Sequence, residues 1–162
     1  ETNILTIYKT NIDRLHDNHP EFWRQRLSFF MWAWRSAVFR HGRSDSFPPH
    51  SGDFRKSVFV AECNGKIIGY ILGGIHLEDK TRGKLIRIGV GNGYQRKDCG
   101  TKLTEALFGK MRELGVKSVH LTVAEDNIPA LSFYKKIGFI QTDARENYFY
   151  PDIPRLMLEK ML

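Results

Sequence analysis

The segment from Leu85 to Leu107, in which a strand passes through a glycine-bearing turn into a helix, constrains the fold of this chain most. It contains the residues LIRIGVGNGYQRKDCGTKLTEAL. The apolar run to Val90 predicts a strand, and apolar residues three and four positions apart after Cys99 predict a helix. A helix start leaves backbone N–H groups without intrahelical partners and carries about half a positive charge. The turn is therefore suited to a phosphate group, and the preceding Gln95-Arg96-Lys97 adds donors and positive charge.

The rest of the chain predicts an α/β sheet with helices packed on it. Asn64-Gly65 separates two β-branched runs and favours a type I′ hairpin, because both residues adopt positive φ readily. Strands are predicted at 4–8, 58–63, 66–75, 85–90, 116–123, 139–149 and 155–161. Helices are predicted at 20–40, at about 99–114 and at 128–137, with a proline- and glycine-bearing loop at 41–56. No repeat or long linker divides the chain, so 1–162 is predicted to be a single domain.

Composition limits the classes of function. Hydrophobic residues make up 41% of the chain and charged residues 27%, as in ordinary globular proteins. No apolar run approaches the ~18–20 residues that span a bilayer, and no signal-peptide pattern opens the chain, which predicts a cytoplasmic protein without membrane partners. Cys63 and Cys99 lack a paired spacing, so neither a disulfide framework nor a metal site is expected. The net charge of +7 favours anionic partners, but scattered basic residues without an RNA-binding motif argue against nucleic acid.

Two sequence signatures resemble those of the GNAT acetyltransferases. The run Gln95-Arg96-Lys97-Asp98-Cys99-Gly100 resembles the family's Gln/Arg-x-x-Gly-x-Gly/Ala motif between a strand and a helix. The run from Asn127 to Phe139 is similar to the second signature, Asn-x-x-Ala-x-x-x-Tyr-x-x-x-Gly-Phe, at the family's spacing. The resemblance covers roughly Ser57 to Leu162. It implies a central, mixed, mostly antiparallel and splayed sheet flanked by helices, with acetyl-CoA as acetyl donor, a primary amine as acceptor and no metal.

The resemblance also implies where the coenzyme binds. In the family, the loop amides bind the pyrophosphate, and the pantetheine arm pairs with the exposed edge of the splayed strand. The residues implied to bind the coenzyme are Ile88, Gly89, Val90, Gln95, Arg96, Lys97, Asp98, Cys99, Gly100, Thr101, Asn127 and Tyr134. Asp98 departs from the pattern, because the family has glycine there. Its carboxylate is expected either to repel the pyrophosphate or to cap the helix. Cys99 replaces the usual aliphatic residue and is interpreted as core filling.

Tyr134 is predicted to be the catalytic acid. Amine attack on a thioester expels a thiolate, and a phenol with a pKa of about 10 can protonate it. The matching tyrosine of the family lies beside the sulfur of the coenzyme. The alternative interpretation is a helix tyrosine that only packs on the core. Asn127 is expected to cap the helix that carries Tyr134, to bond the pantetheine arm, or to do both.

The sequence predicts no dedicated general base. Relatives carry a glutamate at the start of the strand before the loop, where this chain has Lys84, or in the next strand, where it has Thr122. Other titratable residues nearby are more typical of strand ends and surfaces: His76, Glu78, His120 and Glu125. Deprotonating a lysine amine at pH 7 costs about 4.6 kcal/mol, against about 1 kcal/mol for an α-amine. A site without a carboxylate therefore favours α-amines, with water taking the proton.

The segment Arg145-Glu146-Asn147-Tyr148-Phe149-Tyr150-Pro151 bears on the acceptor. It is similar, with one extra residue, to the Arg-Asn-Tyr-Tyr-Pro stretch of N-terminal acetyltransferases, including the ribosomal-protein alanine type. Loop tyrosines there hold the first residues of the peptide, so Tyr148 and Tyr150 are implied to bind the acceptor. Trp34 is expected to join them from the first helix. A protein N terminus is the predicted acceptor. The alternatives are a small amine such as a polyamine or aminoglycoside, a lysine, or a CoA-binding regulatory module, in a monomer or homodimer.

Overall fold

The computed structural model describes residues 5–10, 54–145 and 154–162. Within these ranges, in chain order, lie the elements β1 Leu5–Thr10, β2 Phe54–Cys63, β3 Lys66–His76, β4 Arg82–Val90, α1 Cys99–Glu113, β5 Ser118–Ala124, α2 Ile128–Lys136, β6 Ile140–Arg145 and β7 Arg155–Met161. One turn of 3₁₀ helix, Asn92–Tyr94, lies between β4 and α1. The strands form one sheet in the order β1-β2-β3-β4-β5-β7-β6. β4 and β5 are parallel and the other neighbours antiparallel, so the predicted mixed, mostly antiparallel α/β sheet is confirmed.

The hairpin of β2 and β3 turns at Asn64 and Gly65. Their φ angles are 52° and 74°, and the predicted type I′ turn requires positive values at both positions. Two predicted strand starts are wrong, because β2 begins at Phe54, inside the predicted loop, and β4 begins at Arg82. At both places the pairing with β3 continues through residues that show no alternating apolar pattern. The predicted helix at 20–40 lies outside the described residues.

Glycines on β3 and β4 allow α1 to lie close to the sheet. A Cβ atom at Gly73 would lie 2.6 Å from Cδ2 of Leu107 and 2.9 Å from Cε of Met111. A Cβ atom at Gly83 would likewise lie 3.0 Å from Sδ of Met111. Leu107 is fully buried, so these positions form part of the main core rather than its rim. Any side chain at Gly73 would force the side chains of Leu107 and Met111 to shift.

The two faces of the sheet carry different clusters. α1 and α2 pack on one face, here called the helix face, with the main core beneath them. A smaller cluster on the opposite face contains Val58, Val60, Ile67 and Leu72, with Tyr8, Tyr70 and Ile86 against it. On β4, Leu85 and Ile88 belong to the helix face and Ile86 to the opposite face.

β4 and β5 diverge along most of their length. They pair at three positions only, from Arg82↔Ser118 to Lys84↔His120. Beyond Lys84, β4 pairs with β3 and β5 pairs with β7. The register between β3 and β4 leaves Ile86 as an extra residue, two positions after Lys84 of the last β4–β5 pair. Because a bulge bends its strand and increases its twist, it accounts for the divergence. The predicted splay is confirmed, and we call the opening between the two strands the fork.

Candidate active site

The loop between β4 and α1 contains two left-handed residues, Arg96 with φ 59° and Asp98 with φ 56°. A left-handed position favours glycine, but aspartate tolerates it better than most other side chains. Asp98 occupies the position where the GNAT motif has glycine. At this position the backbone thus has a φ that glycine adopts readily, although the residue is aspartate.

The start of α1 leaves several amides without partners. The first helical hydrogen bond runs from the Lys102 N–H to the Asp98 carbonyl, at 2.9 Å. The N–H groups of Cys99, Gly100 and Thr101 thus have no acceptor within the helix. The Asp98 side chain makes no capping hydrogen bond, so the interpretation that its carboxylate caps the helix is wrong. Three amides at the positive end of a helix fit an anionic group such as a phosphate.

The polar residues before α1 have different surroundings. Gln95, Arg96, Lys97 and Asp98 are all exposed. Gln95 nevertheless donates a hydrogen bond from Nε2 to the Val90 carbonyl, at 3.1 Å, which ties the loop to the end of β4. Its side-chain amide thus helps to hold the loop in shape, while Arg96 and Lys97 supply the positive charge.

Gly100 lies where the loop, the fork and α2 come together. A Cβ atom there would lie 3.4 Å from the ring of Phe133 on α2 and 3.8 Å from Cδ1 of Ile88 on β4. The neighbouring Cys99 is 2% exposed, and burial raises the pKa of its thiol. A buried neutral thiol agrees with its interpretation as core filling. The predicted site residues Ile88 and Gly100, from β4 and α1, thus lie close together, and Phe133, the neighbour of Tyr134 on α2, lies against Gly100.

The distal part of β4 is shaped by Tyr70 on β3. Tyr70 pairs with Gly89, and a Cβ atom at Gly89 would lie 2.7 Å from the Tyr70 ring. Burial raises the pKa of Tyr70, and the Arg87 guanidinium, which hydrogen-bonds the phenol, offsets part of the rise. Gly89 is therefore needed for this ring to cross β4. The sequence reasoning missed Tyr70, because only the strand register brings it to the fork.

Tyr134 lies on α2 and is 8% exposed. Its ring contacts the rings of Phe133, at 5.5 Å between centroids, and Phe139, at 5.7 Å with an edge-on geometry. Burial raises the pKa of Tyr134 to about 12. No hydrogen bond in the described part of the chain involves its hydroxyl. The ring packs on the core, as the packing interpretation requires, and the phenol stays protonated at neutral pH, as a proton donor requires.

Asn127 caps α2, as predicted. Its Oδ1 accepts a hydrogen bond from the Ala130 N–H at 3.2 Å. Pro129, in the first turn of the helix, has no N–H that would need a partner. The cap fixes the start of the helix that carries Tyr134.

His120 lies at the closed end of the fork, beside Lys84. Its ring stacks on that of His76, with centroids 5.1 Å apart and planes at 27°. Burial first, and then the charges of Lys84, His76 and Arg82, lower the pKa of His120 to about 4, against a smaller opposing hydrogen bond with the Gly83 backbone. Taking a proton from an α-amine would therefore be uphill by about 5 kcal/mol. A general base works best with a pKa near the operating pH, so His120 is poorly suited to that role.

The positions of the usual carboxylates are at the fork and carry other residues. Lys84 forms the last pair with β5, and Thr122 lies two residues beyond His120 on the same face of β5. Glu78 and Glu125 are exposed in turns. Glu159 on β7 pairs directly with His120 and was not singled out from the sequence, because only the β5–β7 register reveals it.

The remaining predictions concern the residues that bind the acceptor, metal binding and membrane-spanning segments. Trp34, Tyr148 and Tyr150, the predicted acceptor-binding residues, lie outside the described ranges. Among the described residues, no group of three or more His, Cys, Asp or Glu side chains could hold a metal ion. No helix in the same ranges has the length and apolar character needed to cross a membrane.

Comparison with known proteins gives a consistent result. The profile of the Acetyltransferase (GNAT) family matches residues 15–139. The chain is 31% identical over 113 residues to an N-alpha-acetyltransferase of Sulfurisphaera tokodaii, covering 64% of this chain and 68% of the relative. It is 31% identical over 125 residues to the [ribosomal protein bS18]-alanine N-acetyltransferase of Escherichia coli K12, covering 77% and 75%. Its fold is similar to that of a GNAT family acetyltransferase from Elizabethkingia anophelis solved with acetyl-CoA bound, with TM-score 0.64, 16% identity and 98% of both chains covered.

Proposed function

Because this chain belongs to the acetyltransferase (GNAT) family, we propose that it transfers the acetyl group of acetyl-CoA to the α-amine of a protein N terminus. The chain is an acyltransferase, and acetyl-CoA is its co-substrate. The proposal concerns the acceptor and the residues that do the chemistry. The main observation in support of an α-amine acceptor is the set of residues at the fork. Lys84 and Thr122 stand where GNAT relatives have glutamates, and the nearby His120 is neutral.

The coenzyme binds, in this proposal, along the fork and the start of α1. The amides of Cys99, Gly100 and Thr101 hold the pyrophosphate, because they lack helical acceptors and lie at the positive end of the helix. The pantetheine arm follows the part of β4 that does not pair with β5, from Ile88 to Val90. The remaining contacts come from residues around this path: Gln95, Arg96, Lys97, Asp98, Asn127 and Tyr134.

Tyr134 acts as the general acid in this proposal. The lone pair of the amine attacks the thioester carbonyl, a C–N bond forms, and the C–S bond breaks with its electron pair on sulfur. Tyr134 gives its proton to that sulfur, and water takes the proton that the amine loses. The resulting phenolate then regains a proton from water, so that one proton passes overall from the amine to the thiol. The raised pKa of the buried phenol keeps the proton on Tyr134 at any physiological pH, so the acid form is always present, and it also makes the phenol a weaker acid.

The fork favours an α-amine over a lysine side chain. An α-amine loses its proton at pH 7 for about 1 kcal/mol, whereas a lysine amine needs about 4.6 kcal/mol and hence a base. After burial, the charges of Lys84, His76 and Arg82 lower the pKa of His120. Cations that disfavour the protonated form of His120 likewise disfavour an ammonium group bound beside it. The N-alpha-acetyltransferase relatives are consistent with this choice.

The acceptor is tested by measuring thiol release with three matched substrates. The first is a peptide with a free N terminus and an internal lysine. The second is the same peptide with a formylated N terminus, and the third is a polyamine. We expect turnover with the free peptide only, and mass spectrometry should place the acetyl group on the α-amine. Turnover with the formylated peptide or the polyamine, but not with the free peptide, would contradict the proposal.

A further inference from the structure

One buried threonine contacts the backbone at the start of α1. Thr104 is 2% exposed, and in the described part of the chain only Ser118 is a second buried polar side chain. The Thr104 hydroxyl donates a hydrogen bond from Oγ1 to the carbonyl oxygen of Gly100, at 2.8 Å. Burying a hydroxyl without a partner would cost free energy, whereas an apolar side chain of the same shape would need no partner. The hydroxyl therefore restrains the Gly100 backbone, which an apolar residue at this position could not do.

Gly100 is the residue of this turn that most needs a restraint. Glycine loses more backbone entropy than any other residue when a helix forms. Helix geometry gives the Gly100 carbonyl one donor, the N–H of Thr104, and the hydroxyl of the same residue supplies a second. The side chain of Thr104 thus spans the first turn of α1 and holds the peptide that joins Gly100 to Thr101.

The restrained peptide carries one of the three amides that have no acceptor within the helix. The Gly100 carbonyl and the Thr101 N–H belong to one planar peptide group and point in opposite directions. Because the carbonyl points along the helix toward Thr104, the N–H points out of the N-terminal end, where an anionic group fits. A hydrogen bond to a carbonyl also polarises its peptide group and makes the N–H a stronger donor. The buried hydroxyl thus acts on the amide that faces the loop.

We propose that Thr104 is a positioning residue for acetyl-CoA, because its hydroxyl orients the Gly100–Thr101 peptide so that the Thr101 N–H donates to the pyrophosphate. The inference rests on the proposed function, since it names a residue that acts through the proposed coenzyme site. Thr104 lies outside both family signatures. Its side chain is buried and its hydroxyl is bonded to Gly100, so it does not touch the coenzyme itself. It should therefore affect coenzyme affinity and not the chemical step.

Thr104→Val tests the inference, because valine has nearly the same shape and lacks the hydroxyl. We expect calorimetry to show an affinity for acetyl-CoA about three- to fivefold lower, which is less than the roughly tenfold that loss of a direct hydrogen bond can cause. The turnover number at saturating acetyl-CoA should stay unchanged. Thr104→Ser keeps the hydroxyl and should bind acetyl-CoA like the wild type.

A donor without the pyrophosphate separates this role from a purely structural one. Acetyl-pantetheine carries the same thioester and pantetheine arm and ends before the pyrophosphate. Both donors are compared with the amine that gives turnover in the acceptor assay, so the result does not depend on which acceptor that is. Thr104→Val should lower kcat/KM for acetyl-CoA by the same factor as the affinity and leave kcat/KM for acetyl-pantetheine unchanged. An equal loss with both donors would overturn the inference, and so would wild-type affinity for acetyl-CoA in Thr104→Val.

Thr142→Val is the matched control. It removes a threonine hydroxyl on β6 that donates to the Met157 carbonyl, at 3.4 Å, and should change neither the affinity nor the ratio of the two donors. Thermal unfolding of each variant establishes that it is folded. Thr104→Ala also lacks the hydroxyl and should reproduce the loss of affinity without the extra methyl group of valine. Equal kcat/KM for the two donors in the wild type would refute the pyrophosphate site itself, which is a different failure from an unaffected Thr104→Val.

Discussion

Replacing Tyr134 with phenylalanine removes one proton donor and leaves the packing of the ring in place. The ring is buried between Phe133 and Phe139, and no described hydrogen bond to the hydroxyl is lost. The variant should therefore fold and bind acetyl-CoA like the wild type. The departing sulfur, however, would have to leave as a thiolate without a proton from the enzyme.

The expected loss follows from the state of the phenol. With a pKa of about 12, at least about 99% of the Tyr134 hydroxyl is protonated up to pH 10. General-acid catalysis contributes about 10²–10⁴-fold, which corresponds to about 3–5 kcal/mol of the barrier. Turnover of Tyr134→Phe should fall by that factor. The fall should be uniform between pH 6 and pH 10, because the phenol does not titrate in this range.

The rate of CoA thiol release at saturating acetyl-CoA gives the turnover number, and calorimetry gives the affinity for acetyl-CoA. Tyr8→Phe is the matched control. Tyr8 donates a hydrogen bond to Glu62 at 2.9 Å on the far side of the sheet from α2, and its loss should leave turnover unchanged. Wild-type turnover in Tyr134→Phe would refute the role of general acid and leave only packing. Weaker acetyl-CoA binding with unchanged turnover would assign the hydroxyl to binding.

Three further outcomes are expected. Asp98→Gly should raise the affinity for acetyl-CoA several-fold, most at low salt. The substitution removes a negative charge whose repulsion of a phosphate costs about 1 kcal/mol, and glycine readily adopts the φ of 56°. Weaker binding in calorimetry would contradict the repulsion. Gly73→Ala should lower the free energy of unfolding by about 1–3 kcal/mol in denaturant titrations, through overlap with Leu107, whereas Gly109→Ala, with open space around it, should not lower it. The pKa of His120 is lowered to about 4, so the stability that its neutral ring contributes is full above about pH 6.5 and is lost as the pH falls toward 4. The unfolding temperature of His120→Gln should therefore depend less on pH between about 4 and 6.5 than that of the wild type. An unchanged pH dependence would contradict the lowered pKa of His120.

Local features were predictable because their causes lie within a few residues. The Asn64-Gly65 turn depends on the φ preferences of two adjacent residues, and the positive φ of Gly138 ends α2 where the sequence suggested. The cap from Asn127 to Ala130 spans one helical turn. The two GNAT signatures were also recognisable from the sequence, and the family comparison agrees with them. In each of these cases, short-range geometry determines the conformation.

The geometry of the fork was decided only by tertiary pairing. Nothing local distinguishes Ile86 as a bulge or Arg82 as the start of β4, because both depend on the registers that β4 makes with β3 and β5. The same registers bring His76 against His120 and place Glu159 opposite it, from strands far apart in the chain. The left-handed backbone at Asp98 likewise became visible only in the folded loop. The sequence by itself determined which family signatures the chain carries, whereas long-range strand pairing determined which charges surround the fork, because those charges come from strands that no local pattern connects.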